Sequence, residues 1–561
     1  MSQMTGSDHL AQVLDGYGVT HVFFVPAILL NTLAAMEKLP IRRVVTHGEK
    51  AAAYMADGYA RVTGKPGICF AQNIGSSNLA AGLRDAKLAG VPLIAITGGP
   101  THETRYKNYY QEIEDFSQFD PVTKLNMSVD HVSRLPDLLR QAFREATSGA
   151  PGPVHIRLPG VSGDDLMRHE ASLPVLIEER YRQAPAFRPV ADSNSIRFAI
   201  DKLIKAKRPL IIAGGGVVIS NAEIELLSFA EKLNIPVATS LNAKGVILDN
   251  HPLSVGIPGT YSRKCANQAV SEADLIFFIG SKTGGQVTTK WKLPKLDTTI
   301  IHLDIETKEF GRNYPNTHPI LADAKTGLTQ MIQACEGIHR PNRKVWLERI
   351  QLLVKNWWES EAVNLESNAI PMRPERVCHE LSKALPPNAI LVSDTGHSGM
   401  WSGVMVQFNQ PGQRYIRCAG SLGWALPAAM GVKCAKPDHA VVCFAGDGAA
   451  YYHLAELETA VRYGINVIFV INNNNALNQE IALYDQAYRG KLEGNSEELW
   501  RFTEVNFANV AQALGCTAFR VEDPRKLQST IQKALTIKKG PVVIETLTDV
   551  NSIAKGAWVP S

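Results

Sequence analysis

Short apolar runs recur along this chain, several of them ending on glycine, asparagine or aspartate, and they alternate with longer amphipathic stretches. VTHVFFV, PGICFAQ, VPLIAIT, RPLIIAGG, ADLIFFIG, AVVCFAGDG and INVIFVINN are examples. Such a run, bounded by turn residues, is the pattern of a strand buried on both faces, and strands of this kind are joined in parallel by crossover helices. Permissive and polar residues then fall at strand C-termini, the edge where open α/β sheets bind ligands. The pattern predicts an α/β protein made of doubly wound parallel-sheet domains.

Length sets their number. At roughly 100 to 200 residues per domain, 561 residues suggest three. A proline-bearing, aperiodic stretch near 174 to 192 and a second such region, GIHRPNR, read as linkers ahead of a Trp-rich helical segment at 341 to 365. The expected domains are 1–185, 186–340 and 341–561. The first and last are candidates for distant copies of one α/β unit.

Composition narrows the function classes. With 45% apolar and 20% charged residues the chain reads as an ordinary soluble globular protein. The formal charge is only +4, and no Lys/Arg block or basic–aromatic tract stands out, which argues against nucleic acid as a partner and leaves small anions as ligands. The eight cysteines form no CxxC pair and read as core thiols in a reducing compartment. The N-terminus lacks a basic segment followed by an apolar run, and no stretch approaches about 18 uninterrupted apolar residues. The expectation is a cytoplasmic protein without a membrane span.

The most informative segment is VVCFAGDGAAYYHLAELETAVRYGINVIFVINNNNAL. A strand ends in Gly446-Asp447-Gly448, a helix follows, and a second strand closes in an asparagine run, with Asn474 lying 27 residues after Asp447. This spacing brings a carboxylate and a carboxamide to one sheet edge. Magnesium takes near-octahedral oxygen ligands, one or two from side chains and the rest from phosphates and water. Asp447, Asn474 and the backbone carbonyl of Ala476 supply three, with Asn473 a rival in the four-asparagine run. Gly448 and Ala449 open the helix, where free N–H groups and the helix dipole suit a diphosphate. The bland alternative is a tight turn and nothing more.

This segment resembles the cofactor-binding signature of the acetolactate synthase-like thiamine diphosphate enzymes, a superfamily that includes pyruvate decarboxylase and benzaldehyde lyase. Similarities extend along the whole chain. VVTHGEKAAAYMADGYAR resembles the segment whose glutamate, here Glu49, hydrogen-bonds the aminopyrimidine ring and promotes loss of the thiazolium proton; a carboxylate shielded from water is what that proton sharing needs. YYQEIEDFSQFDPVTK is similar to the segment that sets a glutamine, here Gln111, near the reacting carbons. LVSDTGHSGMW resembles the diphosphate-side loop with Gly396, His397 and Ser398, and CAGSLGWALPAAMGV the segment that holds the pyrimidine, with Gly420, Ser421 and the wedge Leu422.

The chain also departs from the synthases. Ala27, Ile28 and Leu29 stand in place of a Gly-Gly-Ala loop and are expected to make that wall of the pocket narrower and more apolar. After the metal asparagine, Asn478, Gln479 and Glu480 replace Gly, Met and Val, and Leu483 replaces a tryptophan. The alignment sets Gln479 and Glu480 over the thiazolium as catalytic candidates. In the central domain Gln286 replaces the arginine that grips the second substrate's carboxylate. FAD is an alternative occupant of that domain and not the favoured one.

The resemblance implies a magnesium-dependent carbon–carbon lyase or ligase acting on a small carbonyl substrate, a 2-oxo acid or 2-hydroxy ketone. It also implies a homodimer or homotetramer with active sites between subunits. The alternatives are acetolactate synthase with an altered acceptor pocket, an FAD-using enzyme of the pyruvate oxidase type, and a non-catalytic cofactor-binding scaffold.

Overall fold

The computed structural model describes residues 3–114 and 116–560. Its N-terminal part holds strands β1 (Gln3–Thr5), β2 (His21–Phe24), β3 (Arg42–Val45), β4 (Gly67–Ala71), β5 (Leu93–Thr97), β6 (Leu125–Ser128), β7 (Pro153–Arg157) and β8 (Glu170–Ser172). The central part holds β9 (Pro209–Ala213), β10 (Val237–Thr239), β11 (Ser254–Gly256), β12 (Leu275–Ile279), β13 (Thr299–Asp304) and β14 (Thr317–Leu321). The C-terminal part holds β15 (Ile390–Ser393), β16 (Arg414–Arg417), β17 (Val441–Gly446), β18 (Ile468–Asn473), β19 (Thr517–Val521) and β20 (Val542–Leu547).

These strands form three six-stranded sheets in the orders β3-β2-β4-β5-β7-β6, β11-β10-β9-β12-β13-β14 and β16-β15-β17-β18-β20-β19. Every pairing inside them is parallel. The fold is therefore the expected one of three doubly wound parallel sheets. β1 and β8 form a separate antiparallel ribbon. The first and third sheets share one connectivity, while the central sheet has the dinucleotide-fold order in which strands run outward in both directions from β9 and β12. The seven apolar runs quoted above are β2, β4, β5, β9, β12, β17 and β18, and most of their residues are buried because helices cover both faces. No helix among the described residues is long and apolar enough to cross a membrane.

The outer sheets are joined through a helix crossing that small residues permit. The helix Glu49–Thr63 lies against the helix Ala425–Ala435, and one apolar core runs through both, including Ala52, Ala56, Ala428 and Ala429. A Cβ added at Gly58 would sit 2.1 Å from the carbonyl oxygen of Ala428, and one at Gly431 would sit 1.9 Å from that of Met55. Backbone meets backbone there, so no rotamer change relieves an added methyl group. A second core couples the central and C-terminal sheets through residues such as Phe278, Trp357, Leu381 and Phe444.

Gly431→Ala is expected to cost about 3 kcal/mol or more, at the upper end of overpacking effects. It should lower the thermal midpoint by several degrees or abolish soluble expression. Gly556→Ala, where nothing lies within 4 Å of the added atom, is the control. An unchanged midpoint for Gly431→Ala would mean the two helices do not meet this closely.

Candidate active site

The C-terminal sheet reverses its winding between β15 and β17, so the loops after those strands splay apart and leave a crevice at their carboxyl ends. Gly396 follows β15 and Asp447 follows β17. Gly396 has φ +67, a conformation that suits glycine, and it opens the helix His397–Met405, whose N-terminus has no side-chain cap. The helix Asp447–Tyr451 likewise starts without a side-chain cap. A Cβ at Gly446 would lie 3.3 Å from Ser398 Oγ, so these two helix starts are neighbours. Two helix starts without side-chain caps at one crevice suit an anion.

Asp447 is 3% exposed and its carboxylate organises the facing loop. Oδ1 accepts from Gly448 N at 2.7 Å, and Oδ2 from Asn474 N at 3.2 Å and Ala476 N at 3.0 Å. Burial pushes the carboxyl up to about 6, against the opposing pull of those N–H donors. Asn474 Oδ1 accepts from Ala476 N at 3.1 Å. Asn473 instead turns to the far side of β18, donating to Glu545 Oε1 at 2.8 Å and to the carbonyl of Val505. The structure thus brings Asp447, Asn474 and Ala476 together and takes Asn473 away.

Around this cluster Asn472 Oδ1, Asn475 Oδ1 and Gln479 Oε1 are buried without a hydrogen-bond partner among the described residues. Among the described residues no group of three or more His, Cys, Asp or Glu side chains could hold a metal. A cation here would have one carboxylate, neutral oxygens, and ligands brought by a partner molecule. That donor set fits magnesium bound with a diphosphate.

The departing residues after the asparagine run have specific partners. Asn478 is 5% exposed, and its Nδ2 donates to the carbonyls of Val550 and Ser552, so its Oδ1 must accept. It accepts from His397 Nδ1 at 2.7 Å. That bond places a proton on Nδ1, and burial holds the His397 ring below the usual histidine range. Gln479 donates to the Tyr261 hydroxyl of the central domain at 3.4 Å, and a Cβ at Gly396 would lie 3.0 Å from its Oε1. Glu480 precedes the exposed helix Ile481–Ala487 without capping it, is half-buried, and has no side-chain partner among the described residues.

Glu49 lies elsewhere, on the N-terminal domain. It begins its helix directly after a strand and accepts from Asn78 Nδ2 at 3.2 Å. A Cβ at Gly75 would lie 2.4 Å from its Oε1, so only glycine lets the carboxylate rest on that turn. Gln111 reaches the same turn, with Oε1 accepting from Ile74 N at 3.4 Å and Nε2 donating to Gln72 at 3.1 Å. Among the described hydrogen bonds and ion pairs, none joins this cluster to Asp447, Asn474 or Leu422. One expectation is corrected here. Ile28 and Leu29 are fully buried in the N-terminal domain's own core, because the strand-end turn folds them inward, so they do not form an apolar pocket wall.

Three residues that motif reasoning passed over hold the Gly420-Ser421-Leu422 segment. Asp85, fully buried, accepts from the backbone N–H of Ala419, Gly420 and Ser421 and from Arg61 Nη2. Asp394, also fully buried, accepts from Gly423 N at 3.0 Å and Ala425 N at 2.7 Å, and burial pushes its carboxyl up to about 6. Tyr54 hydrogen-bonds Ser421, and burial raises its phenol. Leu422 packs on the shared core. Asp85 within a helix and Asp394 at a strand end are acidic residues that form no motif, and Tyr54 leaves no sequence signal.

Asp85→Asn keeps the shape but points an amide at donors. It is expected to cost roughly 3 to 5 kcal/mol, as for breaking a buried charge cluster, and to speed hydrogen exchange in a peptide covering 418–425. Unchanged exchange in that peptide would show that the segment holds itself.

The N-terminal TPP binding domain of thiamine pyrophosphate enzymes matches residues 4–119, their central domain residues 196–331, and their C-terminal TPP binding domain residues 394–546. The chain is 31% identical to a probable acetolactate synthase large subunit of Methanococcus aeolicus, over 98% of this chain and 93% of the relative. It is 30% identical to the glyoxylate carboligase of Escherichia coli O157:H7, over 99% and 95%. It is also 30% identical to the acetolactate synthase isozyme 1 large subunit of Escherichia coli K12, over 98% and 94%. The chain belongs to the acetolactate synthase-like family of thiamine diphosphate enzymes and is a carbon–carbon lyase or ligase of that family.

Proposed function

We propose that the protein binds thiamine diphosphate through Mg2+ at the β15/β17 crevice and acts on a 2-oxo acid or 2-hydroxy ketone, in an active site shared between two copies of the chain. The observation that carries this reading is the Asp447 carboxylate lying against the Asn474–Ala476 loop beside two uncapped helix starts. Asp447, Asn474 and the Ala476 carbonyl would hold the metal. The backbone at Gly396, His397, Ser398, Gly446, Gly448 and Ala449 would hold the diphosphate, and Gly420, Ser421 and Leu422 the pyrimidine. The cofactor supplies an electron sink for the carbon that loses its bond.

The protein's own residues would do the rest. Glu49 would share a proton with the aminopyrimidine, Gln111 lies on the same turn as Glu49, and Gln479 and Glu480 would face the substrate. The pyrimidine-binding domain is 1–185, the central domain 186–340 and the diphosphate-binding domain 341–561. Because Glu49 and Asp447 share no contact within one chain, a second copy must complete each site, as a homodimer or a homotetramer. Exposed apolar side chains flank both halves: Ile74, Tyr110 and Ile113 near Gln111, Tyr452 and Leu483 near Asp447. Burying them against a partner would exclude water from the reaction.

A flavin is not favoured, since packing explains two of the three glycines in that turn: a Cβ at Gly214 would meet the Gly280 carbonyl at 2.1 Å and one at Gly216 the Gly280 Cα at 2.7 Å. The likeness to acetolactate synthases keeps that reaction as the second reading, with Gln286 in the arginine's place arguing for a different acceptor. Buried free cysteines support a reducing compartment, and we take it to be the cytoplasm.

Asp447→Ala is expected to abolish cofactor retention, measured by equilibrium dialysis, whereas Glu49→Gln should retain cofactor and lose turnover. Mixing the two inactive variants under subunit exchange should restore activity, and an active monomer at high dilution would refute the shared site. Glu480→Gln should lower turnover roughly 10²-fold, the range for a positioned acid–base group, with cofactor affinity little changed. Wild-type kinetics would make Glu480 a surface charge.

A further inference from the structure

The central sheet has a crevice of its own, between β9 and β12, and a cavity of about 380 Å³ opens from it toward the other two domains. Arg417, the last residue of β16, forms part of its wall. Arg417 is only 6% exposed. Its Nε is buried without a hydrogen-bond partner, and among the described residues its guanidinium makes no hydrogen bond or ion pair. The ring of Tyr261 lies beside it, with the centroid 5.8 Å from Cζ. A buried charge without a counter-charge is among the costliest features a fold can carry. A planar fork of N–H donors is the group best matched to a carboxylate or a phosphate.

This site is not remote from the chemistry. Tyr261 takes a hydrogen bond from Gln479, whose Oε1 lies against Gly396, and Arg417 is followed directly by the segment 418–422. The chain Arg417, Tyr261, Gln479, Gly396 therefore connects the cavity to the crevice of Asp447. The lining also includes Lys87, Lys124, Lys282 and Lys308, together with Asp304, Glu306, Glu309 and Asp323, of which Glu306 pairs with Lys308 at 3.3 Å. Convergent lysines raise the local concentration of anions.

We propose that Arg417 is a specificity-determining residue that binds a carboxylate or phosphate on the substrate, so that the enzyme takes a carbonyl compound bearing a second anionic group. The proposal rests on the thiamine diphosphate reading above. It assigns to a strand-end arginine the anion grip that Gln286 cannot supply.

The test uses the full-length protein loaded with thiamine diphosphate and magnesium, as wild type, Arg417→Gln and Arg417→Lys. Turnover is measured on pyruvate, 2-oxobutanoate and 2-oxoglutarate, which differ in the distal acid group. The wild type should favour 2-oxoglutarate. Arg417→Gln should raise its KM about 10- to 100-fold, the effect of losing a hydrogen bond to a charged group, with kcat and the KM for pyruvate unchanged, and Arg417→Lys should recover part of the loss. Equal changes for all three substrates would overturn the proposal and make Arg417 structural. Calorimetric titration of succinate, and separately of inorganic phosphate, is the second arm. Saturable binding in the wild type that is lost in Arg417→Gln supports the site, with phosphate alone binding assigning a phosphorylated substrate. Binding of neither anion overturns the proposal. If no oxo acid is turned over but succinate binding depends on Arg417, the catalytic reading fails and the anion site stands.

Discussion

Arg61 lies where the two outer domains meet, and its charge network reaches most of the parts that bear on the site. Its guanidinium sits between two fully buried carboxylates, with Nε 2.7 Å from Asp57 and Nη2 3.1 Å from Asp85. It also donates to the Arg417 carbonyl and lies over the Trp424 ring, while Trp424 Nε1 donates to Asp57. Buried charges of this kind persist only when every one is paired, because an unpaired member bears the full desolvation penalty. The second carboxylate oxygen of Asp85 remains free to accept the N–H groups that shape the 419–421 turn. One ion cluster thus fixes the helix crossing and, through Asp85, the backbone beneath the cofactor segment.

The helix crossing explains why the chain needs small residues where it has them. Gly58 and Gly431 bring backbones into contact, which brings the ion cluster and the 418–425 segment within reach of the N-terminal domain. A wider separation would leave Asp85 short of the turn it supports. Around this junction the outer sheets repeat one strand order, and each turns its carboxyl edge to a loop cluster. The Glu49 cluster and the Asp447 cluster lie at the carboxyl edges of sheets with the same strand order and carry different side chains.

The departures from the synthase pattern also acquire reasons in the fold. Asn478 ties the His397 loop to the chain's C-terminal segment at Val550 and Ser552 while fixing the imidazole tautomer. Glycine at this position would leave the ring free to rotate and exchange its proton between nitrogens. Gln479 ties the same loop to the central domain through Tyr261. The C-terminal loop, the chain's last segment and the central domain are therefore tied together at one crevice by side chains of two adjacent residues.

The sequence by itself determined the three-sheet α/β architecture, because strands buried on both faces must be continuous apolar runs. It also brought Asp447 and Asn474 to one sheet edge, because they close two strands of one βαβ unit, so their approach is set by local geometry over a short span. Only the tertiary structure decided which asparagine faces Asp447, since four in a row carry no period and the strand's pleat alone sends Asn473 to Glu545. It likewise decided that Ile28 and Leu29 enter a core, that Asn478 governs His397, and that Asp85, Asp394 and Tyr54 hold a segment on which they leave no motif. These contacts join residues from 29 to several hundred positions apart, and they form only when packed cores bring separate elements together. A one-dimensional pattern records which residues want burial, but not which partner burial will bring them.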